Sequence, residues 1–143
     1  MAAGGVGAGA GVISATMKLE YVSDGSEDCP LIRIHGFGPP DACSLRSLAV
    51  ALADGSTGAV EVHGLARMEP VDGCRLTLRV GPEDRGIRQL PAPNAFECVL
   101  RQRTWEQVAD LIAPFCEEVA PGRYQWLDES GDIALLLSAD GNW

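Results

Sequence analysis

The chain has 143 residues, which suffices for one domain with a single hydrophobic core. Hydrophobic residues make up 46% of it and charged residues 22%, as is typical of a soluble globular protein. The net charge of -9 disfavours nucleic acid and anionic membrane surfaces as partners, whereas it favours a basic protein.

Residues 1–16 are rich in glycine and alanine and carry no charged side chain. Such a segment buries too little apolar surface to offset the entropy that ordering costs, so we expect a disordered extension. It also lacks the basic and apolar regions of a secretory signal. Met17 is an alternative start, and residues 17–143 are predicted to form a single domain.

The first half of this domain alternates strands with one helix. Residues 18–22 and 31–35 have the alternating apolar pattern of short strands. Asp41 is a suitable N-cap for a helix with apolar residues at helical spacing, and Gly55 is suited to follow its end. Residues 60–63 then predict another short strand.

The central part of the chain predicts three strands. Residues 74–80 alternate cleanly, and the polar turn that follows them predicts that residues 87–90 return as a hairpin partner. Residues 95–101 form the third strand, with alternate apolar side chains facing inward.

The last part predicts a helix and a hairpin. Thr104 and Gln107 have the spacing of a capping box, which places the helix start at Thr104, and Pro114 should kink or divide the helix. Residues 123–128 and 132–138 are predicted as paired strands, the second buried on both faces because it is almost entirely apolar.

These elements predict the α+β class. We expect a single mixed, mostly antiparallel sheet with two main helices packed against it. The strand–helix–strand order near the amino terminus also predicts one βαβ unit.

Two segments of similar pattern contain the only histidines, His35 and His63, each at a predicted strand end before a glycine. If a βαβ unit makes these strands parallel neighbours, His35 lies near His63 and Arg33 near Glu61. Two imidazoles there could bind a metal or transfer a proton. The alternative is an Arg33–Glu61 pair between strands, with two partly solvated histidines.

Arginines form a second candidate site, because a continuous sheet would place several of them on one face. Such a cluster could bind a carboxylate or phosphate group. Alternatively, the arginines alternate with Glu61 and Glu97 in a solvated network of ion pairs. The arginines in question are Arg33, Arg75, Arg79 and Arg101.

Aromatic residues near the carboxyl terminus form the third candidate. Strict alternation places Tyr124, Trp126 and Asp128 on one face of a strand, and Trp143 could fold over the same region. Tyrosine and tryptophan beside a carboxylate are typical of protein-binding surfaces. The alternative is that Tyr124 and Trp126 fill the core beneath the second helix.

The five cysteines show no CxxC spacing, their number is odd, and several fall on apolar faces. Reduced thiols in a cytoplasmic protein are therefore expected. The bias towards alanine, glycine and arginine suggests a bacterial source, and the motifs of nucleotide-binding loops, nucleophile elbows and zinc proteases are absent. No metal or cofactor site is predicted.

The function expected from these features is a non-catalytic acidic binding module that recognises a basic protein, as an inhibitor or immunity-like protein would. One alternative is a domain that senses a small anion with the arginine-rich face. The other is a small enzyme or metal-binding protein centred on His35 and His63.

Overall fold

The computed structural model describes residues 17–118 and 120–143. The predicted Gly/Ala-rich extension, residues 1–16, lies outside the described residues. The described chain has two α-helices and nine strands, which confirms the predicted α+β class. In these ranges, neither helix combines the length and apolar character that crossing a membrane requires.

The elements follow one another along the chain with two short 3-10 turns between strands. In chain order the elements are β1 Met17–Val22, β2 Leu31–His35, α1 Pro39–Ala53, β3 Ala59–Glu61, a 3-10 turn Val62–Gly64, β4 Met68–Pro70, a 3-10 turn Val71–Gly73, β5 Arg75–Val80, β6 Gly86–Gln89, β7 Ala95–Leu100, α2 Gln102–Glu117, β8 Tyr124–Asp128 and β9 Ala134–Ser138.

The strands divide into two mixed sheets where a single one was expected. The first sheet has the order β4-β1-β2-β9-β8, and the second has the order β3-β5-β7-β6. A single antiparallel bridge between Ile87 and Ile133 joins them. Strand β9 lies between β2 and β8, and Leu135, Leu136 and Leu137 are fully or almost fully buried, as the apolar sequence predicted.

The βαβ unit expected around α1 does not form. Strand β2 pairs with β1 and β9, whereas β3 belongs to the second sheet and runs antiparallel to β5. The apolar strand β9 needs a neighbour on each side and occupies the edge of β2 that the prediction gave to β3. Strand β3 is also short, because the chain enters a 3-10 turn at Val62, which is fully buried.

The expected hairpin between residues 74–80 and 87–90 is also wrong. Strand β5 pairs in parallel with β7, and β6 pairs antiparallel with the other edge of β7. The connection passes the end of β7, where the Gly81 N–H donates to the Leu100 carbonyl and the Arg85 N–H to the Val99 carbonyl. A Cβ atom on Gly81 would collide with Val99, so this route requires glycine.

Both helices start earlier than predicted. Helix α1 begins at Pro39, and Asp41 accepts a hydrogen bond from the Gly38 N–H from within its first turn. Helix α2 begins at Gln102, so Thr104 lies inside the helix and does not cap it. Pro114 lies within α2, which continues to Glu117, so of the two predicted effects of this proline, a kink or a division, the division does not occur.

The core lies between the helix pair and the two sheets. Trp105 of α2 is fully buried, and its indole N–H donates to the Arg79 carbonyl at 2.9 Å. Around it pack Leu45 of α1, Leu78 of the second sheet and Leu135 of the first. The helices therefore cover both sheets and leave the opposite face of the first sheet to the carboxyl-terminal residues.

Candidate functional site

The two histidines lie on different sheets, so the predicted histidine pair does not form. His35 ends β2 in the first sheet, whereas His63 lies in the 3-10 turn that follows β3 in the second. Arg33 and Glu61 are separated in the same way. The expected pairing rested on a parallel arrangement that the buried strand β9 prevents.

His35 belongs to a half-buried cluster on the first sheet. Arg33 donates to Oε1 of Glu20 from Nε at 2.9 Å and from Nη2 at 2.7 Å. The His35 Nε2 atom lies 3.1 Å from the same oxygen. Because a carboxylate only accepts hydrogen bonds, the neutral imidazole donates from Nε2. Arg33 uses Nη1 to bind the carbonyl of Gly141.

The contacts within this cluster determine which of the side chains of Arg33, Glu20 and His35 are charged. Burial and the neighbouring Arg33 charge lower the pKa of His35, against the opposing influence of Glu20. Burial would raise the pKa of Glu20, but hydrogen bonds and charge from Arg33 and His35 hold it below its usual value. The cluster therefore contains an Arg33–Glu20 ion pair beside a neutral imidazole.

His63 is held by backbone atoms of the second sheet. The Leu76 N–H donates to its Nδ1 at 3.1 Å, and its Nε2 lies 4.0 Å from Oε2 of Glu61. Together with Arg75 and Phe96, it lines a shallow groove of about 160 Å³. No metal-binding group of three His, Cys, Asp or Glu side chains occurs within the described parts of the chain.

The four predicted arginines do not form one cluster. Arg33 lies on the first sheet, and Arg75 and Arg79 lie on β5 of the second. Arg79 pairs with Glu97 at 3.1 Å, and Arg101 pairs with Asp84 at 3.0 Å. Carboxylates thus occupy three of these four guanidinium groups, and Arg75 is the one of the four for which the described residues provide no ion pair.

Two carboxylates organise the second sheet: Glu97, which the sequence placed among the arginines but not in the core, and Asp84, which sequence reasoning missed. Glu97 is buried on β7 and accepts hydrogen bonds from Arg79 at 3.1 Å and Arg88 at 2.8 Å. Asp84 binds the start of α2 through Arg101 and Thr104. The signal for Glu97 was a lone carboxylate in an apolar strand, which requires cationic neighbours when it is buried.

A β-bulge interrupts the alternation expected for Tyr124, Trp126 and Asp128. Trp126 pairs with Leu136, but the register then shifts, so that Asp128 pairs with Leu135. Leu127 provides the core contact, whereas Trp126 is half-buried and Tyr124 is 45% exposed. Tyr124 is therefore on the surface and not in the core beneath α2.

Several acidic side chains meet at one end of the first sheet. The loop between β1 and β2 and the turn between β8 and β9 leave neighbouring strands at this end, since Leu31 pairs with both Val22 and Ala134. The Ala134 N–H donates to the Pro30 carbonyl at 3.3 Å. We call the following five exposed residues the acidic end: Asp24, Glu27, Asp28, Glu129 and Asp132.

The acidic end differs from the arginine-bearing faces of the sheets in its ion pairing. Within the part of the chain that the structure describes, none of the ion pairs reaches its five carboxylates. Asp128 lies next to it, where burial and the charge of Asp84 raise the pKa of its carboxyl group despite hydrogen bonds from Ser130. Five exposed carboxylates without an ion pair favour a negative local potential.

Trp143 is held at the acidic end. Its indole N–H donates to Oδ2 of Asp28 at 3.1 Å, and the Arg33 guanidinium lies 6.0 Å from the centre of its ring. The segment before it is fixed by Ser138, whose hydroxyl donates to the Asn142 carbonyl at 2.6 Å and accepts from the Gly141 N–H at 3.0 Å. A half-exposed indole thus lies beside exposed carboxylates.

Of the predicted partner-binding residues, Asp128 and Trp143 lie at or next to the acidic end. Tyr124 is at the opposite end of β8, because its pairing partner is Ser138. Comparisons of the chain with protein-family models, with curated proteins and with solved structures gave no match.

Proposed function

We propose that this protein is a non-catalytic binding module that recognises a basic protein through the acidic end. The observation that supports this proposal most is the juxtaposition of five exposed carboxylates, none of which forms an ion pair within the described residues, with a tryptophan that Asp28 holds in place. The partner would present arginine or lysine side chains on a complementary surface.

The charge distribution supports an electrostatic role. Arg33 and Arg79 are paired with carboxylates on the strands of the two sheets, whereas the carboxylates of the acidic end are left for solvent or a partner. An uncompensated patch of this kind raises the rate of association with an oppositely charged protein and penalises acidic competitors. Its influence extends about 8 Å at physiological ionic strength.

Trp143 would provide the apolar contact. Tryptophan is among the residues that contribute most to binding, provided that it is held in place and surrounded by polar groups. The hydrogen bond to Asp28 and the nearby Arg33 guanidinium restrict the indole before a partner arrives, which lowers the entropy lost on binding. Its neighbouring carboxylates would pair with the cations of the partner.

The test compares two variants with the same change in net charge. Each neutralises two aspartates and two glutamates by amide substitution, and Asp28 is kept because it holds Trp143. The acidic-end variant carries Asp24→Asn, Glu27→Gln, Glu129→Gln and Asp132→Asn. The matched control carries Asp72→Asn, Glu83→Gln, Glu106→Gln and Asp110→Asn, all at exposed positions elsewhere.

The probe is a fluorescein-labelled arginine-rich peptide, titrated at low and at physiological salt with tryptophan fluorescence and anisotropy as readouts. We expect the acidic-end variant to bind about tenfold more weakly than the control, because steering depends on local charge. A Trp143→Ala variant should lose affinity without changing the salt dependence. Equal losses in the two charge variants would show that only net charge matters and would refute the proposed site.

A further inference from the structure

Two cysteines face each other across the helix pair. Cys43 lies in the first half of α1 and is exposed, and Cys116 lies in the last turn of α2 and is half-buried. The Cys43 Sγ atom is 3.8 Å from the Cys116 carbonyl oxygen. Together with Arg46 they line a groove on the surface of the two helices.

The packing of the helices keeps this arrangement in place. At the other end of the pair, Val50 and Ala53 of α1 line a groove with Glu106 and Ala109 of α2. The start of α1 therefore lies beside the end of α2, as in an antiparallel pair. The Cys43 thiol touches both the carbonyl and the thiol of Cys116, so the two sulfur atoms lie close enough for a disulfide bond to be tested.

We propose that Cys43 and Cys116 form a reversible redox modification site, at which a small-molecule disulfide generates an inter-helix disulfide bond. The proposal is independent of the function proposed for the acidic end. It concerns the two helices, whereas loops that connect strands of the first sheet form the acidic end.

The chemistry divides into two exchange steps. The exposed Cys43 thiolate attacks the small disulfide, forms a mixed disulfide and releases one small thiolate. Cys116 then loses its proton to solvent, and its thiolate attacks the Cys43 sulfur and expels the second small thiolate. Two protein thiols are oxidised, and one disulfide is reduced to two thiols.

Cys116 is suited to the second step and not to the first. Burial, followed by contact with the Cys43 thiol, raises the pKa of Cys116 to about 11, although the nearby Arg46 opposes this shift. At neutral pH it therefore remains protonated and unreactive towards small oxidants. Closure of the mixed disulfide should accelerate as pH rises, because the fraction of thiolate at Cys116 rises.

The experiment treats the full chain at low concentration with oxidised glutathione, alkylates the remaining thiols and measures the intact mass. The reduced protein has five free cysteines, and we expect three alkylated thiols after oxidation, with peptide mapping that shows a Cys43–Cys116 link. Oxidation should also raise the melting temperature by several degrees, because the link closes a long loop. Reduction with dithiothreitol should restore five thiols.

Variants separate the two roles. In Cys116→Ser the glutathione adduct on Cys43 should persist, whereas in Cys43→Ser neither adduct nor link should form at this site. Cys29→Ser is the matched control, because Cys29 is also not fully buried, and it should leave the link unchanged. The proposal would be overturned if the wild-type protein kept its glutathione adduct, linked other cysteines or formed a covalent dimer. Because this outcome is measured on the wild-type protein, it does not depend on whether the variants fold.

Discussion

Removal of the Asp84 carboxylate should weaken the start of α2. Asp84 lies in the connection before β6, and its Oδ1 accepts the Arg101 backbone N–H at 2.9 Å. Its Oδ2 accepts the Thr104 hydroxyl at 2.9 Å and the Arg101 guanidinium at 3.0 Å. A carboxylate at the amino end of a helix also interacts favourably with the helix dipole. Asp84 thus caps α2 from a distant segment of the chain, although the sequence pattern predicted Thr104 as the cap.

The expected magnitude follows from these contacts. A side-chain cap is worth about 1 kcal/mol, and the hydrogen bond from Thr104 adds about 1 kcal/mol. The ion pair adds less, because the Arg101 side chain is 53% exposed and solvent screens it. We therefore expect Asp84→Ala to lower the free energy of unfolding by about 2 kcal/mol at neutral pH.

The effect should depend on pH with a defined sign. Burial alone would raise the pKa of Asp84, but the hydrogen bonds from Arg101 and Thr104 hold it below the usual value of 3.8. A carboxyl group with a depressed pKa stabilises the fold above the pKa of the unfolded chain. The difference between wild type and Asp84→Ala should therefore shrink as pH falls below about 4.

The assay is urea denaturation followed by tryptophan fluorescence, since Trp105 is buried in the core. Glu83→Ala is the matched control, because Glu83 is an exposed neighbour and its loss should change stability by less than about 0.5 kcal/mol. Thr104→Val should cost about 1 kcal/mol alone and almost nothing in the Asp84→Ala background. Additive losses, or equal effects at Asp84 and Glu83, would refute the cap.

Two further outcomes are expected from the cluster around Arg33. Burial and Arg33 lower the pKa of His35, so the unfolded chain binds a proton at this residue more readily than the folded chain does. Stability should therefore fall as pH drops below about 6.5. In pH-dependent melting experiments, His35→Gln should reduce this loss. Gly141 has φ +89°, and a Cβ atom there would lie 3.2 Å from Nη1 of Arg33. The control is Gly122→Ala, because Gly122 also has a positive φ but has open space around it, and this change should cost about 1–2 kcal/mol in the urea denaturation assay. Gly141→Ala should destabilise the protein more than this control.

Local pattern was sufficient to locate most elements of this fold. Alternation identified β2 and β7, helical spacing identified α1, and the apolar run of residues 133–137 predicted the buried position of β9. Each of these patterns lies within a single segment, so it predicts the element regardless of which other parts of the chain pack against that segment. Helix starts were less well predicted, because Asp84, which caps α2, lies well before it in sequence.

Strand pairing could not be predicted from local pattern. The similarity between the segments around His35 and His63 suggested adjacent strands, but alternation reports which face a residue occupies and not which strand lies beside it. The neighbour of β2 is β9, from the opposite end of the chain. Alternation likewise did not predict the bulge of β8 between Trp126 and Asp128, where one extra residue shifts the register with Leu136 and Leu135.

The acidic end is a product of topology, and this bears on the function proposed for it. The two acidic loops are distant in sequence and meet only because β2 and β9 are neighbours. Carboxylates brought together without cations repel one another, so the arrangement costs stability. A protein can retain such a cost where function requires it. The cations of a basic partner would remove the repulsion on binding, and this relief would add to the affinity gained from direct contact with Trp143.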